Sequence, residues 1–173
     1  IKTLKSNDVF EEAFIFATNG TELSTEWSKT VINECKKISK EISKEDIETR
    51  RDIRSLNFVT IDGSNAKDFD DAVYAEELSD GFRLYVAIAD VSAYVTKDSQ
   101  LDKEAFSRAT SVYFEKKVIP MLPELISNQL CSLRPNEDKL VLTCEIYLDN
   151  RGEIKDFEFF NSVICSKNRL TYD

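Results

Sequence analysis

Apolar residues recur along this chain in two rhythms. In the first, short dense runs are separated by polar turns, the signature of strands. It predicts strands over Leu56–Ile61, Ala72–Glu77, Gly81–Tyr94, Lys139–Leu148 and Glu153–Val163. Ser79-Asp80-Gly81 and Asp149-Asn150-Arg151-Gly152 are the hairpin turns between neighbours, so the runs predict an antiparallel sheet. In the second rhythm Trp27, Val31, Cys35, Ile38 and Ile42 recur at helical spacing through a charged segment, with Ser24 as the expected N-cap. That stripe predicts one amphipathic linker helix, its apolar face used for packing. Leu101–Ala109 and Leu125–Leu130 are expected as further helices, the second following an irregular Pro120–Pro123 stretch. Val9-Phe10 and Ala13–Phe16 precede an Asn19-Gly20 turn signal and are expected as a last strand or short helix of a preceding module; Lys167–Asp173 begins another element.

The richest chemistry follows the first predicted strand. Phe58–Ile61 runs into a turn that carries Asp62, Asp68, Asp70 and Asp71, four carboxylates within ten residues. Two carboxylates about 4 Å apart repel by roughly 4 kcal/mol at an effective dielectric near 20. A converging set must therefore spread into water, take up protons or bind a cation. The donors are all hard oxygens, which select Mg²⁺, Mn²⁺ or Ca²⁺ over zinc. An EF-hand loop beginning at Asp62 is excluded, because Lys67 and Val73 stand where it needs Gly and Glu. A phosphatase-type nucleophile pair is disfavoured by Ser64 at its second acidic position. Asp accounts for 15 of the 173 residues, so the cluster by itself leaves a solvated acidic loop as the alternative.

Composition narrows the classes further. The 42% hydrophobic content with few Gly and Pro is that of a globular chain with one good core. No apolar run approaches the roughly 20 residues needed to span a bilayer, and no signal-peptide hydrophobic region follows Ile1, so no membrane partner is expected. A start without Met suggests a beginning inside a longer protein. Cys35, Cys131, Cys144 and Cys165 form no C-x-x-C pair and the chain has no His, which excludes a Cys/His zinc site and points to free thiols in a reducing cytoplasm. The net charge of −9 conflicts with the basic patch of a typical nucleic-acid binder. The charged run from Lys44 to Arg54 reads as a solvated connector, with phosphate contacts by Arg50, Arg51 or Arg54 as the functional alternative.

Several segments in order carry a resemblance: Val59-Thr-Ile-Asp-Gly, Ala66-Lys-Asp-Phe-Asp-Asp-Ala-Val, Val86-Ala-Ile-Ala-Asp-Val-Ser, Ser111-Val-Tyr-Phe, Val118-Ile-Pro-Met-Leu-Pro-Glu, Leu125-Ile-Ser-Asn-Gln-Leu-Cys-Ser-Leu and Arg169-Leu-Thr-Tyr. From about Arg51 to Tyr172 the chain resembles the ribonuclease II and ribonuclease R family, the ribonuclease R branch most closely. The resemblance implies an α+β fold, mainly antiparallel sheet with short helices, forming the N-terminal portion of a larger catalytic domain. In these terms residues 1–23 would end a preceding OB-type module, 24–50 would be a linker helix and charged connector, and 51–173 the truncated catalytic domain. It implies hydrolytic 3′-to-5′ degradation of single-stranded RNA to nucleoside 5′-monophosphates, Mg²⁺ or Mn²⁺ as cofactor and no nucleotide cofactor; it assigns no oligomeric state. By position, Asp62, Asp68 and Asp71 would be metal ligands, and Asp70 the residue tied most closely to the chemical step.

The same resemblance makes Tyr113 a ring that stacks on a nucleotide, with a core tyrosine as the alternative, and allows Arg169 a phosphate contact or an ordinary hydrogen-bonding role. Asp90 is expected as a buried structural carboxylate satisfied by backbone donors. Asn65 departs from the acidic residue many relatives carry there, which puts in doubt only a supporting charge at that position. OB-type modules elsewhere in such proteins would supply the basic surface missing here. Because the family's RNA-clamping groups and assisting arginine lie in a second half absent from the sequence, the 173 residues alone are expected to have little or no activity. The runner-up is a non-catalytic RNA-binding or scaffold protein that retains the acidic loop.

Overall fold

The computed structural model describes residues 9–21 and 24–172. Its helices are α1 (Val9–Thr18), α2 (Lys29–Cys35), α3 (Lys44–Glu48) and α4 (Gln100–Arg108). Its strands are β1 (Arg51–Asp52), β2 (Val59–Asp62), β3 (Asp71–Leu78), β4 (Gly81–Ala89), β5 (Val112–Tyr113), β6 (Val118–Ile119), β7 (Asp138–Asp149), β8 (Ile154–Cys165) and β9 (Asn168–Thr171). The expected α+β class is what forms, mostly sheet with short helices. Two compact units divide the chain: one holds the described residues up to Lys37 with Lys97–Pro123, the other Ile38–Thr96 with the described residues from Glu124 onward.

The second unit is a seven-stranded sheet in the order β1-β8-β7-β4-β3-β2-β9. Its centre is antiparallel, as the hairpin signals predict. The β3–β4 connection is tight, with Leu78 paired to Gly81. Glycine is needed there because a Cβ on Gly81 would collide with the Leu148 carbonyl of β7. At the β7–β8 turn Gly152 takes a φ of +81°, and the Asp149 carboxylate accepts the Arg151 and Glu153 N–H groups. The edges are different: β1 runs parallel to β8 and β9 parallel to β2. Lys167 holds the return to β9, its N–H on the Phe58 carbonyl and its ammonium on the Arg54 carbonyl.

One sheet face builds the core. The rings of Phe58, Tyr74 and Tyr85 meet at 6.0–6.2 Å, and Ala87, Val141, Thr143 and Ser162 are buried beside them. Ile126, Leu130 and Leu133 close this core from a π-helical stretch, Leu125–Leu130, and the segment after it. The other face leaves Ile88, Leu142, Phe157 and Phe159 exposed.

The first unit is held by capped helices and one arginine. Ser28 caps α2 by accepting the Val31 N–H, and Ser99 caps α4 by accepting that of Asp102. Glu34 of α2 accepts the free N–H groups of Gln100 and Leu101 at the α4 N-terminus. Arg108 stacks 3.6 Å above the Trp27 ring and donates to the carbonyls of Ser24, Glu26 and Pro120. Strands β5 and β6 form a small hairpin.

Three expectations need correction. The linker helix expected along the Trp27–Ile42 stripe is cut short, and the charged connector after it holds a second helix. The first stops at Cys35; Ser39 then closes a local turn on Glu41, and a reciprocal capping box between Ser43 and Asp46 starts α3 afresh. Ser24 caps no helix, its hydroxyl donating instead to the Glu26 carbonyl. Strand β4 ends at Ala89 rather than Tyr94, because Asp90 leaves the extended conformation and Val91–Ala93 forms a 3-10 turn. Within residues 51–173, Lys97–Pro123 groups with the N-terminal helices in the first unit. Val9–Phe16 lies in helix α1; the rest of the 1–23 expectation falls partly outside the described residues, as does Asp173.

Candidate active site

Strand β2 ends on Asp62 and β3 begins on Asp71, so the sheet fixes the two ends of the acidic segment. Between them the chain is restrained from three sides. The Ala66 N–H closes a turn on the Gly63 carbonyl at 3.0 Å. Arg169 of β9 donates to the carbonyls of Gly63 at 2.9 Å and Ser64 at 2.7 Å, and its guanidinium lies 5.1 Å from the centre of the Phe69 ring. Phe69 is buried between Asp68 and Asp70 in sequence, so the apolar side chain anchors the carboxylates on either side. Its N–H donates to Ser132 Oγ at 3.1 Å and its carbonyl accepts the Leu133 N–H at 2.8 Å. The Asp70 carbonyl accepts the Ala89 N–H of β4 at 2.9 Å.

Electrostatics tie the four aspartates together. Burial pushes the Asp62 carboxyl above its ordinary range; Asp71 and Asp68 push the same way while Arg169 opposes them. Asp70 keeps an exposed face, yet its carboxyl is raised too, by partial desolvation and then by the charges of Asp68, Asp71 and Asp62. Oδ2 of Asp62 is buried without a hydrogen-bond partner. An ionised oxygen in that position is costly unless something neutralises it. Among the described residues no three acidic, Cys or His side chains converge at ligand distance. The donor chemistry nevertheless fits a hard divalent cation: only oxygens, mutually repelling, with one buried lone oxygen unsatisfied.

The structure brings Asp62, Asp68, Asp70, Asp71 and Arg169 into one region. Arg169 is engaged with backbone carbonyls of the turn. Tyr113 belongs to the other unit, on β5, and is 64% exposed, which removes the core-tyrosine alternative. Asp90 is structural as expected, but its partners are chiefly side chains. Burial would raise it, and hydrogen bonds from Ser92 and from Arg50 at 2.6 Å outweigh that and hold it low. The neighbouring arginines are also committed within the fold: Arg51 to Glu145, Glu158 and the face of Phe160, and Arg54 to Asp52 and Asp138. Sequence reasoning missed Ser132 and Leu133 as braces of the acidic loop. Their run, Leu130-Cys-Ser-Leu133, was visible only as part of a resembling segment.

Comparison with known proteins now decides the family. The RNB domain family matches residues 50–173. This chain belongs to the RNB domain family. Ribonuclease R of Acidithiobacillus ferrooxidans is 52% identical to the RNB chain over 151 residues, covering 87% of this chain and 34% of the relative. Ribonuclease R of Escherichia coli (strain K12) is 48% identical over 147 residues, covering 84% of this chain and 18% of the relative. Among solved structures, Mycoplasma genitalium RNase R in complex with double-stranded RNA superposes with a TM-score of 0.83 at 42% identity, over 87% of this chain and 27% of that one. Yeast Ssd1, a pseudonuclease, shares the fold at a TM-score of 0.69 and 24% identity. The RNB chain thus spans about a fifth to a third of the length of the curated relatives it matches.

Proposed function

We propose that this RNB segment supplies the metal-binding carboxylates of a hydrolytic 3′-to-5′ exoribonuclease that degrades single-stranded RNA to nucleoside 5′-monophosphates. The activity is proposed for a protein of the relatives' length that carries the segment. The observation that carries the reading is the mutual repulsion of Asp62, Asp68, Asp70 and Asp71 on a braced loop, with the Asp62 Oδ2 buried and unsatisfied. Ribonuclease R relatives, one of them solved with RNA, support RNA as the partner.

In this reading Asp62, Asp68 and Asp71 hold Mg²⁺, with Mn²⁺ as the substitute. When bound, such a cation places positive charge against the scissile phosphate and lowers the pKa of a water. Asp70 orients the ion or the attacking water. Strands β2 and β3 set the distance between the outer two carboxylates, Arg169 fixes the turn, and the exposed Tyr113 offers a ring for a base, a contact of about 1–3 kcal/mol when stacked.

The rival is a non-catalytic RNA-binding protein, and the Ssd1 likeness shows why the fold alone does not decide between them. The test is release of mononucleotides from 3′-labelled and 5′-labelled single-stranded RNA by the longer protein, with and without Mg²⁺. Progressive 3′ shortening that stops on chelation supports the enzyme. RNA binding without shortening under either condition supports the rival. The 173-residue chain is expected to show little activity in the same assay, and robust degradation by it would refute that expectation.

A further inference from the structure

The acidic loop carries like charges that push one another apart, so something other than the carboxylates must hold it in shape. Arg169 braces only its first turn, at Gly63 and Ser64. The second half is held by a residue from the far side of the sequence. Ser132, fully buried just after the π-helical stretch, uses a single hydroxyl twice. It accepts the Phe69 N–H at 3.1 Å and donates to the Lys67 carbonyl at 3.0 Å. Those two backbone groups flank Asp68. The next residue, Leu133, donates its N–H to the Phe69 carbonyl at 2.8 Å and so fixes the peptide leading into Asp70.

We propose that Ser132 is a positioning residue: its hydroxyl clamps the backbone on both sides of Asp68 and sets the placement of Asp68 and Asp70 for the cation. The inference rests on the reading of these aspartates as part of a metal site and extends it to a side chain that is not itself a ligand. The geometry is selective. One fully buried hydroxyl acts as donor and acceptor at once, so removing it strands the buried Phe69 N–H and frees the part-buried Lys67 carbonyl together. Both lie in the loop, and the Phe69 N–H can be satisfied again only if the loop moves toward water. A second buried hydroxyl pair in the same unit, Thr143 and Ser162 at 2.6 Å, sits between β7 and β8 and bonds no loop backbone through its side chains. It provides a control for the loss of a buried hydroxyl as such.

The experiment measures Mn²⁺ binding to the 173-residue chain by electron paramagnetic resonance, together with amide hydrogen exchange at residues 67–71. Ser132→Ala is expected to weaken Mn²⁺ binding about tenfold, in line with residues that orient metal ligands from outside the coordination shell. It should also speed exchange at Phe69. Ser132→Cys, with a weaker donor and acceptor of similar size, should fall between wild type and Ser132→Ala, and it takes that variant's place if the alanine protein does not fold. Ser162→Ala should lower thermal stability and leave Mn²⁺ affinity unchanged. Equal Mn²⁺ affinity in wild type and the Ser132 variants overturns the proposal, as does an equal loss in Ser162→Ala. If wild type binds no Mn²⁺, it is the metal reading that fails for this chain, and the exchange data decide for Ser132. Faster exchange confined to residues 67–71 then upholds the clamp, and unchanged exchange removes it.

Discussion

Two connections of the same sheet carry aspartate and treat it in opposite ways. At the β7–β8 turn one aspartate, Asp149, gathers donors: the N–H groups of Arg151 and Glu153 and the ammonium of Lys155 at 2.8 Å. The Lys155 contact leads, followed by the two backbone groups, and the carboxyl is held at about 2. At the β2–β3 connection four carboxylates crowd within ten residues; Arg169 donates to backbone carbonyls, the Asp62 Oδ2 is buried without a partner, and Asp62 and Asp70 are raised. Asp90 lies one strand away and follows the first pattern, paired with Arg50. The same sheet that satisfies an aspartate so readily at one turn leaves Asp62 and Asp70 raised at another. Such a cluster is a cost to folding unless a cation completes it, which is the usual relation between stability and function at a site.

The largest expected effect separates the two patterns by activity. In the longer protein, Asp70→Asn should lower RNA cleavage by about 10²–10⁴-fold while RNA binding and the far-ultraviolet spectrum stay unchanged. Retained cleavage would remove Asp70 from the mechanism. Asp149→Asn should leave cleavage unaffected.

The next effect is on stability. Arg50 and Asp90 are each only 11% exposed at the side chain, so Arg50→Met leaves a nearly buried carboxylate without its cation. A loss of about 3 kcal/mol in chemical denaturation is expected. A change within about 0.5 kcal/mol would show that Ser92 and the backbone suffice for Asp90.

A smaller effect of opposite sign should mark the acidic loop. Asp62 and Asp70 have folded pKa values raised above the ordinary 3.8, so the folded state binds their protons more tightly than the unfolded state does. Their ionisation therefore destabilises the metal-free chain at neutral pH, and the penalty is relieved as pH falls through the raised values toward 3.8. Asp62→Asn should raise the melting temperature of the chelated 173-residue chain at pH 7, and the gain should shrink when Mg²⁺ is added to the wild type for comparison. A fall in melting temperature without metal would show that Asp62 is satisfied within the fold.

Much of this arrangement was legible in the sequence, and the remainder was hidden for identifiable reasons. Strands β3, β4, β7 and β8 announce themselves because alternation and turn residues are local signals, and Ser79–Gly81 and Asp149–Gly152 close their hairpins as predicted. The acidic turn was visible for the same reason: all four aspartates lie within ten residues. The parallel edges were not, because β1 is two residues long and β9 returns to β2 through a crossover that no nearby residue encodes. The braces of the site were hidden by distance along the chain. Ser132 reaches back 63 residues to Phe69, and Arg169 reaches back 106 to Gly63. The linker helix was overextended because the apolar stripe continues past Cys35, while the interruption is made by Ser39 and the Ser43–Asp46 box. The serines that break the stripe supply the start signal of the next helix instead.

The smallest expected effect belongs to the turn that opened the contrast. Asp149 is held at about 2, below the ordinary 3.8, so the folded state favours its ionised form. Its contribution is complete above 3.8 and lost as pH falls from there through about 2, the reverse of the acidic loop. Because Lys155 and the turn are solvent-exposed, much of the attraction is screened and only a slight change is expected. Asp149→Asn should therefore lower the melting temperature marginally at pH 7 and not at all at pH 2, whereas Asp62→Asn should raise it at pH 7 and converge on wild type in acid. Melting curves of the two variants between pH 2 and 7 would then approach wild type from opposite sides. If both variants approached from the same side, the two aspartate environments would not be opposites, and the case for a cation at the β2–β3 loop would lose its electrostatic footing.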